Sequence, residues 1–163
     1  MRSAVVLAES AGAGVRTPPV KRAVNRVAPA VDEVVVSCQR GRREEVEAAL
    51  DEETYRLAVD PVPGRSPVAD IRSGCRVARG TEVFVMTADD DVRPALVTEL
   101  FEACKREAAI PRIDGENRPL TAVYDTAAAI AAADVTLGMG SASITEMLDR
   151  LAVQIRPVPS VPE

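Results

Sequence analysis

Short, uninterrupted apolar runs alternate along this chain with amphipathic stretches, and that alternation limits the fold more than any other feature. "AVVLA" (4–8), "DEVVVSC" (32–38) and "EVFVMTA" (82–88) have strand length and lack polar alternation. Such runs mark strands covered on both faces, as when helices pack on either side of a parallel sheet. Between them lie "PPVKRAVNRVAPAV" (18–31), with Val20, Val24, Val27 and Val31 at helical spacing, and the charged helix "RREEVEAALDEE" (42–53). Pro29 should end the first of these early. A short strand, "YRLAVD" (55–60), a Pro/Gly-rich loop (60–67) and a helix reaching Ala78 come next. "VRPALVTELFEACKRE" (92–107) then puts Leu96, Leu100 and Cys104 on one helical face. "AAIPRI" (108–113) and "RPLTAVY" (118–124) flank an Asp-Gly turn, as the strands of a hairpin do. Helical stretches at 125–134 and 142–152 lead to "VQIRPV" and a proline-rich end. The pattern predicts a three-layer α/β/α, Rossmann-like fold with a mainly parallel central sheet, in which 4–8, 32–37 and 82–87 are central. A single domain over 1–156, with a proline-rich tail at 157–163, accounts for all 163 residues.

Composition narrows the chemistry. The chain has no histidine, which removes Ser-His-Asp and Cys-His nucleophile systems and His-ligated zinc together. Cys38, Cys75 and Cys104 lack both disulfide parity and metal-ligand spacing, and read as reduced, mostly buried thiols. Catalysis must then rest on carboxylates, cations, backbone N–H groups or a hard metal ion. A net charge of −5 and a pI near 4.9 give no footprint for nucleic acid. No apolar run approaches a membrane span and no signal peptide is visible, so the expectation is a cytoplasmic protein with no membrane partner. A homo-oligomer is compatible with the sequence, which does not fix the oligomeric state.

In sheets of this kind ligands sit beyond the carboxyl ends of the strands, here the loops after Ala8, Cys38, Asp60 and Ala88. The first loop, "ESAGAGVRT" (9–17), carries Gly12 and Gly14, which allow close backbone approach to an anion, but also Glu9. A phosphate loop and a plain strand-to-helix turn weigh equally here. The second offers Ser37, Gln39 and Arg40, and a solvated strand exit explains them as well. The third begins with Asp60 before a proline, which is ordinary turn chemistry. The fourth, "VMTADDDV", is the sharpest. Asp91 is the natural N-cap of the helix that follows, yet capping uses one acid, not three. Adjacent carboxylates repel, an arrangement tolerated where a cation sits or water is plentiful. Hard oxygen ligands suit Mg²⁺ held jointly with substrate phosphates, which makes Asp89 the candidate metal ligand.

These segments, in this order, resemble the molybdenum cofactor guanylyltransferases, the MobA family of the nucleotidyltransferase superfamily. "VVLAESAGAG" resembles the family's first strand and glycine-rich signature, which usually reads Leu-Ala-Gly-Gly and later Arg and Lys. "VDEVVVSCQR" resembles its second strand, and "AVDPVPGRSPVADIRSG" the segment that ordinarily reads Asp, proline, then Gly-Pro-Leu-Ala-Gly-Ile. "VFVMTADDDVRPALVTELFEA" resembles its strand, metal-binding Asp and following helix, and "IPRIDGENRPLTAVY" its closing hairpin. The resemblance covers most of the chain. It implies a nucleotidyltransferase fold, Mg²⁺ as cofactor, and transfer of GMP from GTP to the phosphate of a molybdopterin-type acceptor, with release of pyrophosphate. It also implies that Leu7, Ala8 and Glu9 line the guanine nucleotide through main-chain groups and that Gln39 lies near the base or ribose. Asp60 falls at a nucleotide-contacting acid, and Asp89 at the acid that binds both metal and nucleotide. Arg16 is the remaining cation to face the triphosphate.

The chain departs from the family pattern at three places. Glu9-Ser10 stands for Gly-Gly. The stretch between Val15 and Pro18 is shorter and the signature Lys has no counterpart, since Lys21 reads as part of the helix. Ser66-Pro67-Val68-Ala69-Asp70 stands for Gly-Pro-Leu-Ala-Gly, which sets a second acid near the base pocket. Two unit charges ~6 Å apart at an effective dielectric of ~20 repel by roughly 3 kcal/mol. Losing a cation and gaining an acid therefore weakens triphosphate binding about a hundredfold unless a metal compensates. Two functions are consistent with these residues. One is an active guanylyltransferase that grips the triphosphate through metal and backbone. The other is a catalytically weak homologue that binds a nucleotide or a protein partner.

Overall fold

A computed structural model of the chain describes residues 1–10, 14–15, 17–50, 55–60 and 66–159, with 9–10, 14–15 and 17–18 described by their backbone alone. The order of elements begins β1 (Arg2–Leu7), β2 (Glu9–Ser10), β3 (Gly14–Val15), α1 (Thr17–Val27), β4 (Glu33–Gln39), α2 (Arg43–Ala49) and β5 (Arg56–Asp60). It continues with α3 (Pro67–Val77), β6 (Glu82–Thr87), α4 (Pro94–Ala103), β7 (Ala108–Ile113), β8 (Glu116–Asn117) and β9 (Thr121–Asp125). The last elements are α5 (Thr126–Gly138), α6 (Ile144–Leu148) and β10 (Val153–Val158). Eight strands form one sheet in the order β10-β7-β9-β6-β1-β4-β5, with β8 joined to β7. β1 pairs in parallel with β4 and β6, and β4 pairs in parallel with β5. β9 runs antiparallel between β6 and β7. The mainly parallel sheet expected from the apolar runs is therefore present, with strands 4–8, 32–37 and 82–87 at its centre.

The two-residue period of each central strand divides its apolar run between two cores. Ala4, Val6 and the following Ala8 pack with Val36, Phe84 and Met86 under α1, α2 and α4. Val5 and Leu7 pack with Val35, Val85 and Tyr124 under α3, α5 and α6. Both faces are thus covered, which is why these strands show no polar alternation. The packing of α3 on β1 is close: a Cβ on Gly74 would lie 2.3 Å from Val5 Cγ1. Glycine lets the helix approach the strand at that point. Cys38 and Cys75 are buried and Cys104 half-buried, none of them in a disulfide, and burial pushes the Cys75 thiol up to about 12.

Local chemistry sets several element ends. α1 stops at Val27 and gives way to a 3-10 turn at 28–30 that contains Pro29. Ser66 caps α3 through the Ala69 N–H, and Asp125 caps α5 through the Ala128 N–H at 2.8 Å. The Asp114-Gly115 turn has positive φ at both residues (53° and 80°), the geometry that a tight hairpin demands.

Other ends are tertiary. α4 covers 94–103 rather than 92–107, because Gln154 of β10 caps it, donating to Ala103 O at 2.7 Å and accepting from the Lys105 N–H at 3.0 Å. α6 covers only 144–148 of the expected 142–152, since Ala152 is drawn into bonds with Glu107 and Ala108 beside β7. β10 runs on through Pro157 and Val158, which the sequence reading assigns to the tail. An edge strand tolerates proline because one row of its backbone groups is unpaired.

Candidate active site

The carboxyl ends of β1, β4, β5 and β6 lie side by side, since all four strands are parallel. Leu7 is in register with Ser37 and Thr87, and Gln39 with Asp60. Leu7, Ala8, Gln39, Asp60 and the Asp89 loop therefore share one edge of the sheet. Asp60 and Asp89 stand three strand spacings apart, roughly 14 Å at ~4.8 Å per strand. Main-chain bonds knit this edge: the Ala8 N–H donates to Ser37 O at 3.0 Å, and the Ala88 N–H to Leu7 O at 2.9 Å. The Ala8 N–H is thus committed to the sheet, and any main-chain contact Ala8 makes with a ligand comes through its carbonyl. Gln39 is half-buried at the strand end.

The buried end of this row is acidic. Asp60 is 1% exposed and Asp70 8% exposed. Asp60 follows Ala58 at the two-residue period, on the face covered by α3, and Asp70 lies in the first turn of that helix. A carboxylate at a helix N-terminus is stabilised by the unpaired N–H groups there. The Ser37 hydroxyl donates to Asp70 O at 2.7 Å and ties β4 to the same turn.

The exposed end is the aspartate loop. Its start is fixed by the Ala88 bond to β1, and a turn closes it from the Asp90 N–H to Thr87 O at 3.1 Å. Its three acids have different fates. Asp91 does not cap α4: the N-cap is Arg93, without a side-chain bond, and Pro94 opens the helix. Asp91 instead pairs with Arg26 of α1 at 2.6 Å, with its side chain 80% exposed. A tertiary cation has displaced the local capping role. Asp90 accepts a hydrogen bond from the Thr121 hydroxyl at the start of β9. Asp89 is exposed, and among the described residues its carboxylate makes no hydrogen bond or ion pair.

A cavity of about 360 Å³ opens beside Asp89, lined also by Thr87, Asn117, Arg118, Leu120 and Ile144. A second, of about 440 Å³, is lined by Asp90 together with Arg93, Asp114 and Arg118. Asp90, Arg118 and Thr121 border both. Among the described residues the Arg118 side chain has a loose pairing with Glu116, at 3.8 Å. Arg26, Arg118 and Thr121 are thus site residues that reading the sequence does not single out. No local signal marks them, because each reaches the loop from a distant element.

Asp89 fits a hard divalent cation. It presents carboxylate oxygens to solvent, and among the described residues no group of three His, Cys, Asp or Glu is arranged to hold a metal. Carboxylate oxygens are the hard donors that Mg²⁺ or Mn²⁺ takes together with phosphate oxygens. Arg16 and the loop tip at 11–13 lie outside the described residues, as does the Glu9 side chain. The backbone of Glu9–Ser10 pairs antiparallel with Gly14–Val15, so the segment after β1 leaves the sheet as a two-stranded ribbon rather than a plain turn. Lys21 sits within α1, beside Arg22, Asn25 and Arg26.

Residues 13–153 match the MobA-like NTP transferase domain. The chain is 39% identical over 109 residues to a protein of Natronomonas pharaonis named probable molybdenum cofactor guanylyltransferase, a match covering 66% of this chain and 54% of that one. A protein of the same name from Haloferax mediterranei is 26% identical over 140 residues, covering 85% and 67%. The chain thus spans between about half and two thirds of the length of these relatives. In fold it is similar to molybdopterin-guanine dinucleotide biosynthesis protein A from Archaeoglobus fulgidus (TM-score 0.75, 22% identity, 97% and 84% covered). It is likewise similar to a Mycobacterium tuberculosis protein crystallised as a manganese complex (TM-score 0.71, 16% identity, 98% and 89% covered).

Proposed function

The chain belongs to the MobA-like NTP transferase family, and on that premise we propose that it transfers GMP from GTP to the phosphate of a molybdopterin-type acceptor. An acceptor phosphate oxygen attacks the α-phosphorus, the new P–O–P bond forms as the α–β bond breaks, and pyrophosphate leaves. The observation that carries this reading is the carboxylate of Asp89, exposed and without a partner among the described residues, on the same sheet edge as Asp60. Leu7, Ala8, Glu9, Gln39 and Asp60 line the nucleotide in this scheme, and Asp89 holds both Mg²⁺ and nucleotide. Bound there, Mg²⁺ offsets the charge that builds on the phosphates during an in-line displacement. Arg16, which lies outside the described residues, is the cation that this reading assigns to the triphosphate, in part of the role of the family's signature Lys. The strand order supports separate approaches for the two substrates. Gln39 and Asp60 flank β1 on one side, so the acceptor approaches from the other, through the cavity where Arg118 counters its phosphate. Positioning and electrostatics supply the rate, and the chemistry needs no covalent nucleophile.

Titration calorimetry with GTP, CTP and ATP, each with Mg²⁺, tests the assignment. GTP should bind most tightly. Equal affinity for GTP and ATP, or none for either, overturns the guanylyltransferase reading and leaves the fold intact. The departures at Glu9-Ser10 and at the signature Lys favour a second reading, a homologue that binds GTP with little turnover. Tight GTP binding without pyrophosphate release in the presence of acceptor identifies that case.

A further inference from the structure

We propose that Thr121 is a positioning residue for Asp89, acting through Asp90; the inference rests on the nucleotide-transfer reading. Three consecutive carboxylates repel, and nothing in their own sequence decides which of them faces the cleft. The fold decides it by occupying the other two. Asp91 is held by Arg26 from α1, and Asp90 by the Thr121 hydroxyl from β9. Asp89 is left as the acid directed to solvent beside the cavity.

Thr121 is suited to this task. It is 5% exposed and sits in register with Met86, one residue before the end of β6, so its hydroxyl stands where the aspartate loop leaves the sheet. Its own N–H is bonded to Arg118 O at 3.1 Å, which fixes the turn that carries it. The donor is thus held by β9 and its turn, and the loop it secures is anchored through its main chain at Ala88 and Asp90. A hydrogen bond to a charged group is among the stronger single tethers available to such a loop. Asp90 and Thr121 both line the cavity beside Asp89, so their bond lies next to the acid it positions.

The test is binding of Mn²⁺ with GTP, followed by the spectroscopic signal of free Mn²⁺, alongside thermal melting. Thr121→Val keeps the shape and removes the hydroxyl. It should weaken Mn²⁺ affinity in the presence of GTP by about tenfold, with metal-free GTP binding unchanged. Thr121→Ser, which retains the hydroxyl, should bind as the unaltered protein does. In an Asp90→Ala background, Thr121→Val should cause no further loss, because the latch is already open. Asp90→Ala also supplies the reading if Thr121→Val fails to fold. Unchanged Mn²⁺ affinity in Thr121→Val, equal losses in the Val and Ser variants, or additive losses with Asp90→Ala each overturn the latch alone. Unaltered protein that shows no metal-dependent GTP binding overturns the nucleotide-transfer reading as well.

Discussion

Replacing Gly74 by Ala tests how the α3 face of the sheet is held. The added Cβ would meet Val5 Cγ1 at 2.3 Å and Cγ2 at 3.1 Å, against a carbon–carbon optimum of ~3.5–4.0 Å. Val5 is fully buried at the centre of the sheet, and its branched side chain is stiff at χ1. Either α3 lifts from β1 or Val5 leaves its rotamer, and overpacking of this kind costs ~1–3 kcal/mol. The close contact places Gly74 toward the upper end of that range. Alanine returns ~1 kcal/mol of helix propensity, which leaves a net loss of about 1–2 kcal/mol. For a chain of this size that is a fall in Tm of about 2–8 °C. A double-mutant cycle isolates the contact. Val5→Ala removes both γ carbons, so its combination with Gly74→Ala should recover about 1–2 kcal/mol relative to the sum of the single changes. A Gly74→Ala protein that melts at or above the unaltered one, or a strictly additive cycle, would falsify the close-approach argument.

Asp89→Asn should abolish Mg²⁺-dependent GTP binding in calorimetry, whereas Glu9→Gly should tighten binding by removing a repulsive charge and restoring close backbone approach; no change in either variant sinks the nucleotide site. Arg118→Ala should raise the KM for acceptor while leaving the GTP affinity alone, and a loss of GTP affinity instead would move Arg118 to the nucleotide side. Glu33 gives a pH signature. Burial alone would push its carboxyl up, but the Arg79 N–H, the Ser3 hydroxyl and Arg56 together hold it below the ordinary glutamate value. With the folded value lowered, its stabilisation is present above the unfolded value and is lost as pH falls through the folded one. The melting difference between the unaltered protein and Glu33→Gln should therefore be largest near neutrality and shrink on acidification; a gap that widens at low pH contradicts this.

The sequence by itself determined the layers, the interior parallel strands and which strand ends share one edge of the sheet. These follow from local quantities: continuous apolar runs require two covered faces, and a parallel sheet gathers the strand ends of Leu7, Gln39, Asp60 and Thr87 on one edge. Pro29 and Asp114-Gly115 were legible for the same reason, since a locked φ or a positive φ is a property of the residue itself. Tertiary structure decided what each side chain at that edge is paired with. Thr121 meets Asp90 across 31 residues of chain, and Arg26 meets Asp91 from a different helix. Those partners turned three equivalent-looking acids into two tethers and one carboxylate with no partner among the described residues, and they took Asp91 away from the cap position that its sequence suggests. The ends of α4 and α6 were set in the same way, by Gln154 and by the backbone around Ala152. A hydrogen bond between distant elements depends on strand register and packing depth. Neither is a property of any short window of sequence, so the identity of the partner emerges only when the sheet is assembled.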